Sequence, residues 1–119
     1  MIRSQVYSFK NAFSGLFYVL RTQPNMRVHL FLSLVALIAG HILNLSYAEF
    51  LVILTLIVVG LALEIVNTAI EITIDSIHTT WHEKAKLAKD VSSAAMLLFA
   101  IGTLVISCIL FIPKIVGLL

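Results

Sequence analysis

The feature that most constrains this chain is a run of 22 residues, 91–112, that contains no Asp, Glu, Lys or Arg. A transmembrane helix needs about 20 consecutive, mostly apolar residues to cross the hydrocarbon core of a bilayer. Two earlier apolar stretches, residues 28–45 and 50–74, are also long enough to cross. Only 12% of the 119 residues are charged, whereas soluble domains average about 25%. The sequence therefore predicts an all-α integral membrane protein with three transmembrane helices.

The segment before the first span has the pattern of a helix with one apolar face. Apolar residues recur there at three- and four-residue spacing: Val6, Phe9, Phe13, Leu16, Phe17 and Leu20. The pattern of a cleaved signal peptide is lacking, so we expect residues 4–22 to form an amphipathic helix at the membrane surface. Pro24 predicts a break in the helix within residues 22–25. We expect residues 1–119 to form a single integral-membrane domain.

The distribution of Lys and Arg predicts the orientation, because cytoplasmic loops carry the excess of these residues. Four precede the first span, none lies in the first link, three lie in the second link (residues 76–90), and one follows the third span. We expect the N-terminus and the second link in the cytoplasm, and the C-terminus on the other side.

Composition also argues against several classes of function. A dispersed net charge of +2 gives no basic footprint for nucleic acid, which is not expected as a partner. The single cysteine, Cys108, excludes an intrachain disulfide and a Cys-based zinc site. His78 and His82 have no third ligand at a fitting spacing, so a dedicated zinc site is not expected.

The second span contains carboxylates, which cost about 2.5–3.5 kcal/mol near the bilayer centre and mark functional sites. At 100° per residue its polar residues fall within a sector of about 100°. They are Glu64, Asn67, Thr68, Glu71 and Asp75, and Gly60 on the same side would admit a close neighbour. A second face, on the start of the third span, consists of Lys86, Lys89, Asp90 and Ser93. Three interpretations stay open from these residues alone: a structural polar seam, an ion or proton path, and a catalytic site at the inner membrane surface.

Two segments of the chain resemble a known family. They are E-I-V-N-T-A-I-E-I-T-I-D (residues 64–75) and W-H-E-K-A-K-L-A-K-D-V-S-S-A-A (residues 81–95). Together they are similar to the signature of the prokaryotic diacylglycerol kinase and undecaprenol kinase family, the small integral-membrane lipid kinases of bacteria. The similarity covers nearly the whole chain, including Phe9, Ala12, Gly15, Asn25, Arg27 and His29. It implies transfer of the γ-phosphoryl group of ATP, with Mg²⁺, to the hydroxyl of a membrane lipid, by a homotrimer in the bacterial inner membrane.

The resemblance also implies roles for individual residues. Glu64 matches the proton acceptor of the family, which also contacts the lipid substrate, and Glu71 matches a carboxylate that holds the metal. The positions that match ATP-binding residues are Asn67, Glu71, Thr80, Trp81, His82, Lys89 and Asp90. Ser93, Asn25 and Arg27 match substrate-side positions.

The chain departs from the family pattern at Gln23, where a second metal-holding Glu is usual. An amide oxygen can coordinate Mg²⁺ but brings no charge, so Glu49 or Asp75 would have to compensate, or metal binding would be weaker. The segments around residues 25–29 and 67–71, with the ending L-F-I-P-K, resemble the undecaprenol kinase branch more than the diacylglycerol branch. The alternatives to a kinase are a small ion or proton conductor and a catalytically inactive scaffold with the family fold.

Overall fold

The structure, a computed structural model, describes residues 2–118, and the side chains of residues 5–118. The described chain forms four helices and no strand: α1 (Ile2–Thr22), α2 (Pro24–Ile42), α3 (Tyr47–Ile77) and α4 (Glu83–Val116). Three of them, α2, α3 and α4, are long and apolar enough to cross a membrane. The predicted all-α fold with three candidate spans is confirmed.

The break between α1 and α2 lies where the sequence predicts it. Gln23 separates the two helices in an extended conformation, with φ −100° and ψ 110°, and α2 begins at Pro24. A residue before proline is disfavoured in helical geometry, and proline at a first helical position lacks an N–H that would otherwise be unsatisfied. The two residues together thus end one helix and begin the next.

The link between α2 and α3 is short and closed by a capping box. Asn44 has a positive φ of 52°, which turns the chain. The Ser46 hydroxyl accepts from the Glu49 backbone N–H at 3.3 Å, and the Glu49 carboxylate accepts from the Ser46 N–H at 2.7 Å. These reciprocal bonds satisfy N–H groups that a helix start leaves open. We call this end of the α3–α4 pair, which includes Ser46, Glu49 and Lys114, the cap end.

The link between α3 and α4 is shorter than the polar segment 76–90 suggests. Helix α3 continues to Ile77, and α4 begins at Glu83, well before the uncharged run. The His82 side chain caps α4 by accepting from the Ala85 N–H at 3.4 Å. The lysines of this segment therefore lie on a helix, and only residues 78–82 form a loop. We call this end of the pair the loop end.

Helix α3 packs against both α2 and α4, while α1 packs against α2 and α3. Few apolar side chains are buried within the described chain: Val19, Met26, Leu45 and Ile53. No residue of α4 is buried, and large apolar side chains such as Leu98 and Ile109 are exposed along it. Exposed apolar surface of this extent is what a helix needs to lie in lipid or against another chain.

Candidate active site

The polar face of α3 passes from buried to exposed along the helix. Glu64 is 2% exposed and Thr68 is 1% exposed, and the Thr68 hydroxyl donates to the Glu64 carbonyl oxygen at 2.8 Å. Asn67 and Glu71 are half-buried, and Asp75 near the end of the helix is exposed. Glu64 and Glu71 are separated by about 10 Å along the axis. The face thus leads from a buried carboxylate to the loop end.

Two side chains of α4 contact this face. The Ser92 hydroxyl donates to Asn67 Oδ1 at 2.5 Å, and Asn67 Nδ2 donates to Glu71 Oε1 at 3.3 Å. The Lys89 ammonium donates to Asp75 Oδ1 and Oδ2 at 2.9 and 3.1 Å. It is also near enough to interact electrostatically with Glu71. The start of α4 therefore brings a cation to the carboxylates of α3.

Gly60 is the point where three helices meet, one turn from Glu64. A Cβ on Gly60 would lie 2.6 Å from Phe99 Cε1 on α4 and 3.3 Å from His29 Nδ1 on α2. The close approach predicted at this glycine is confirmed. His29 is also near enough to Glu64 for an electrostatic interaction, as is Glu71. Among the side chains described, none donates a hydrogen bond to the Glu64 carboxylate.

A cavity of about 280 Å³ lies at the loop end. Its polar lining includes five of the residues that resemble ATP-binding positions: Thr80, Trp81, His82, Lys89 and Asp90. Lys86 and Asp90 form an ion pair at 2.7 Å across one turn of α4. The His78 and His82 rings stack with their centroids 4.5 Å apart. The fold therefore brings the loop and the start of α4 together around one open space, next to Asp75.

No hydrogen bond or ion pair joins the remaining candidates to Glu71, Asn67, Lys89 or Asp75 within the described side chains. Asn25 and Arg27 are exposed on the first turns of α2, and Ser93 is exposed on α4. Gln23 is half-buried at the N-cap of α2, and no hydrogen bond joins it to Glu71. Over residues 5–118, no group of three or more His, Cys, Asp or Glu side chains converges as a metal site built from protein ligands alone would need.

Glu49 lies at the far end of α3. About 33 Å of helix separate it from Glu71, at 1.5 Å per residue. Its Oε2 atom accepts from the Ser46 N–H at 2.7 Å and lies 3.1 Å from Lys114 Nζ. It cannot compensate for Gln23 within one chain, so of the alternatives left open by the sequence the one that uses Glu49 is excluded for a single chain. Asp75, the other residue that could compensate for Gln23, lies on the same polar face of α3 as Glu71.

Ser92 is a residue of the cluster that the sequence does not single out. Its neighbour Ser93 matches the family pattern and has the spacing of the α4 polar face, yet Ser92 contacts α3. The sequence offered one signal for Ser92. Two consecutive serines at the start of a helix point to two adjacent faces, so either of them could contact α3.

The fold and the cluster define a class: helical membrane proteins with a buried carboxylate and a line of polar groups leading to one end of the bundle. Comparison with known proteins gives the family. The model of the prokaryotic diacylglycerol kinase family matches residues 10–111, and the chain belongs to this family.

Two curated proteins are similar to the chain over most of its length. The undecaprenol kinase of Bacillus subtilis (strain 168) is 37% identical over 107 residues, which cover 90% of this chain and 87% of that protein. The diacylglycerol kinase of Synechocystis sp. (strain ATCC 27184 / PCC 6803 / Kazusa) is 33% identical over 113 residues, which cover 94% of this chain and 65% of that protein. Membership in a kinase family implies ATP as the phosphoryl donor.

Proposed function

We propose that this protein is a lipid kinase that transfers the γ-phosphoryl group of ATP, with Mg²⁺, to the hydroxyl of a membrane lipid alcohol. The observation that carries the proposal is Glu64, a carboxylate 2% exposed within a candidate span, on a polar face that ends at an open cavity. A buried carboxylate of this kind is expensive in a bilayer, so its presence favours a functional role. Undecaprenol is the favoured substrate and diacylglycerol the second candidate.

Glu64 acts as the general base in this proposal. The lipid hydroxyl oxygen forms a bond to the γ-phosphorus as the bond to the β,γ-bridging oxygen breaks, its proton passes to the Glu64 carboxylate, and ADP leaves. The position of Glu64 suits this role, because it lies about 10 Å deeper than Glu71 and so meets a headgroup within the membrane. Asn25, Arg27 and Ser93 are proposed to contact the lipid.

Phosphoryl transfer depends mainly on positioning and on charge neutralisation. Lys89 supplies a cation that can move from Asp75 to the transferred phosphate, because both side chains are partly exposed. Asn67, Thr80, Trp81, His82 and Asp90 are proposed to hold the nucleotide. The cavity at the loop end gives them a common space.

Glu71 fits the role of a Mg²⁺ ligand. Mg²⁺ prefers oxygen ligands and usually takes only one or two protein carboxylates together with phosphates and water. Within the described chain, the Glu71 carboxylate has no ion pair within 4 Å, and its Oε1 accepts a single bond of 3.3 Å from Asn67. Its oxygens therefore remain available. When bound, Mg²⁺ would neutralise phosphate charge during the transfer, with Gln23 as a proposed uncharged second ligand.

We further infer that the protein acts as a homotrimer in the bacterial inner membrane, with its N-terminus and loop end in the cytoplasm. Two observations support this. Three of the four lysines of α4, Lys84, Lys86 and Lys89, lie at the loop end, and an excess of positive charge is typical of cytoplasmic loops. The entire length of α4 lacks a buried residue, so it has surface available for a second copy of the chain.

The test is Mg²⁺-dependent transfer of labelled γ-phosphate from ATP by the purified protein in mixed micelles. Undecaprenol and diacylglycerol are offered separately, beside the variant Glu64→Gln. We expect phosphorylation of one lipid, undecaprenol first, and a loss of turnover by Glu64→Gln of about 100-fold or more with the helical content retained. Full activity in that variant would exclude Glu64 as the base.

The remaining outcomes separate the alternatives. No transfer by the natural sequence, restored by Gln23→Glu, would indicate a metal site weakened by the missing carboxylate. No transfer in either form, with ion flux in sealed vesicles, would support a conductor. Absence of both activities would support an inactive scaffold.

A further inference from the structure

The bond between Ser92 and Asn67 joins two uncharged side chains across the α3–α4 interface. Ser92 is half-buried, and its hydroxyl lies 2.5 Å from Asn67 Oδ1, although the two residues are 25 positions apart in the chain. Most other hydroxyls whose hydrogen bonds are described, such as Thr68 and Thr73, donate to a carbonyl of their own helix. Ser92 instead bonds a side chain on another helix, and that side chain contacts Glu71.

The direction of this bond follows from the partner on the other side of the amide. An asparagine side chain has one acceptor oxygen and one donor NH₂ group, and an ionised carboxylate only accepts. Asn67 must therefore present its NH₂ to Glu71, as it does at 3.3 Å, and its oxygen points away. A group that donates is needed on the oxygen side, and the Ser92 hydroxyl is that group.

Without Ser92 only the 3.3 Å bond to Glu71 holds the orientation of the amide. The χ2 angle of asparagine has broad, roughly two-fold preferences, so rotation by 180° brings the amide oxygen towards the Glu71 carboxylate. In that orientation two acceptors face each other, and Glu71 loses its donor. The hydroxyl at residue 92 is thus a second contact that keeps the donor of Asn67 on the Glu71 carboxylate.

We propose that Ser92 is a positioning residue that orients Asn67, and through Asn67 the Glu71 carboxylate, for binding of the Mg²⁺–nucleotide. This inference rests on the proposed function. It assigns to Ser92 an effect on nucleotide binding and not on proton transfer, because Glu64 lies nearly two turns from Glu71. The loss of Ser92 should therefore raise KM for ATP more than it lowers kcat.

The first test compares Ser92→Ala with the natural sequence, as full-length protein in mixed micelles. We expect KM for ATP, and Kd for Mg²⁺–ATP measured without lipid substrate, to rise by about 3- to 10-fold, which corresponds to one neutral hydrogen bond. The value of kcat should change less than KM. Ser92→Thr, which retains the hydroxyl, should restore Kd.

The matched control is Thr73→Ala. Thr73 is exposed on α3, its hydroxyl donates to the Ala69 carbonyl of the same helix at 2.8 Å, and it lies about 180° around the helix from Glu64. The substitution Thr73→Ala removes a hydroxyl from α3 without changing the polar face of that helix. The values of Kd and KM should therefore stay at those of the natural sequence. An equal rise in Thr73→Ala would indicate a general effect of lost hydroxyls on the helices.

The second test is a double-mutant cycle. If Ser92 acts through Asn67, Ser92→Ala should have no further effect on Kd in an Asn67→Ala background. Additive effects would overturn the positioning role, as would Ser92→Ala with unchanged Kd and KM. Natural protein that binds no Mg²⁺–ATP would overturn the proposed function and this inference together, whereas natural protein that binds it and a Ser92→Ala variant that binds equally would overturn the inference alone.

Discussion

At the cap end of the α3–α4 pair, Lys114 lies 3.1 Å from the Glu49 carboxylate; at the loop end, Lys89 lies 2.9 Å from Asp75. Each pair joins an acid on α3 to a lysine on α4. Glu49 also accepts from the Ser46 backbone, and the Lys114 and Glu49 side chains are 33% and 25% exposed. The Asp75 side chain is 62% exposed and lines a cavity.

The difference shows that the neighbours of an ion pair, and not its charges, indicate its role. The Glu49 oxygens are engaged by a helix cap and a cation, so this carboxylate is part of the structure of the helix ends. The Lys89 ammonium pairs with Asp75, which is exposed, and lies near Glu71. Because this ion pair is open to solvent, Lys89 remains available to bind a phosphate. Removing equivalent groups from the two ends should therefore have different consequences.

The largest contrast is expected between Lys89→Met and Lys114→Met. Lys89→Met removes the cation proposed for the transferred phosphate, and we expect lipid phosphorylation to fall by about 100-fold or more. Lys114→Met should leave kcat and KM unchanged and lower the midpoint of thermal unfolding, because Glu49 loses its cation. Both variants are assayed for γ-phosphate transfer and for unfolding in mixed micelles. A loss of activity in Lys114→Met equal to that of Lys89→Met would contradict the comparison.

The second prediction concerns Gly60, which lies between the two ends. In Gly60→Ala the new Cβ would lie 2.6 Å from Phe99 Cε1, so the ring must shift and the three helices must separate slightly. We expect a decrease of about 1–3 kcal/mol in the free energy of unfolding, and a partial loss of activity because Glu64 is one turn away. The activity of Gly60→Ala shows whether packing in the middle of α3 also sets the geometry of the loop end.

The control for Gly60→Ala is Gly102→Ala on α4. Within the described residues, no atom outside the local backbone of α4 lies within 4 Å of a Cβ placed there, and alanine is the better helix former. Its unfolding free energy should stay the same or rise by up to about 1 kcal/mol. If Gly60→Ala behaved in the same way, Phe99 and His29 would not determine the approach of α2 and α4 to α3.

The smallest effect is expected for Lys86→Gln at the loop end. The Lys86–Asp90 pair spans one turn of α4, and its side chains are 63% and 57% exposed. Exposed pairs at this spacing contribute about 0.5 kcal/mol or less. Unfolding in mixed micelles should therefore show almost no change. A decrease as large as that of Gly60→Ala would mean that the loop end, like the cap end, is held by its charges.

Much of the fold follows from local sequence. The uncharged run 91–112, the break at Pro24 and the polar face of α3 depend on composition, on proline geometry and on helical periodicity, all of which act within a few residues. The predicted length of the link between α3 and α4 was less accurate. The polarity of Lys84, Lys86 and Lys89 suggests a loop, whereas the His82 cap begins α4 before these residues.

The site was predictable in part for the same reason. Periodicity places Glu64, Asn67 and Glu71 on one face, and the resemblance gives them roles that remain predictions. Periodicity does not determine which groups of α4 contact that face. The rotation and register of one helix against another depend on packing between residues that are far apart in the chain.

The sequence by itself thus determined the class of fold, the family and the polar face of α3. Only the tertiary structure decided that Ser92 and not Ser93 bonds Asn67, that Lys89 contacts Asp75, and that Glu49 pairs with Lys114 at the opposite end. The physical reason is that a helix presents adjacent residues on faces about 100° apart, so a small rotation of α4 decides which side chain meets its neighbour.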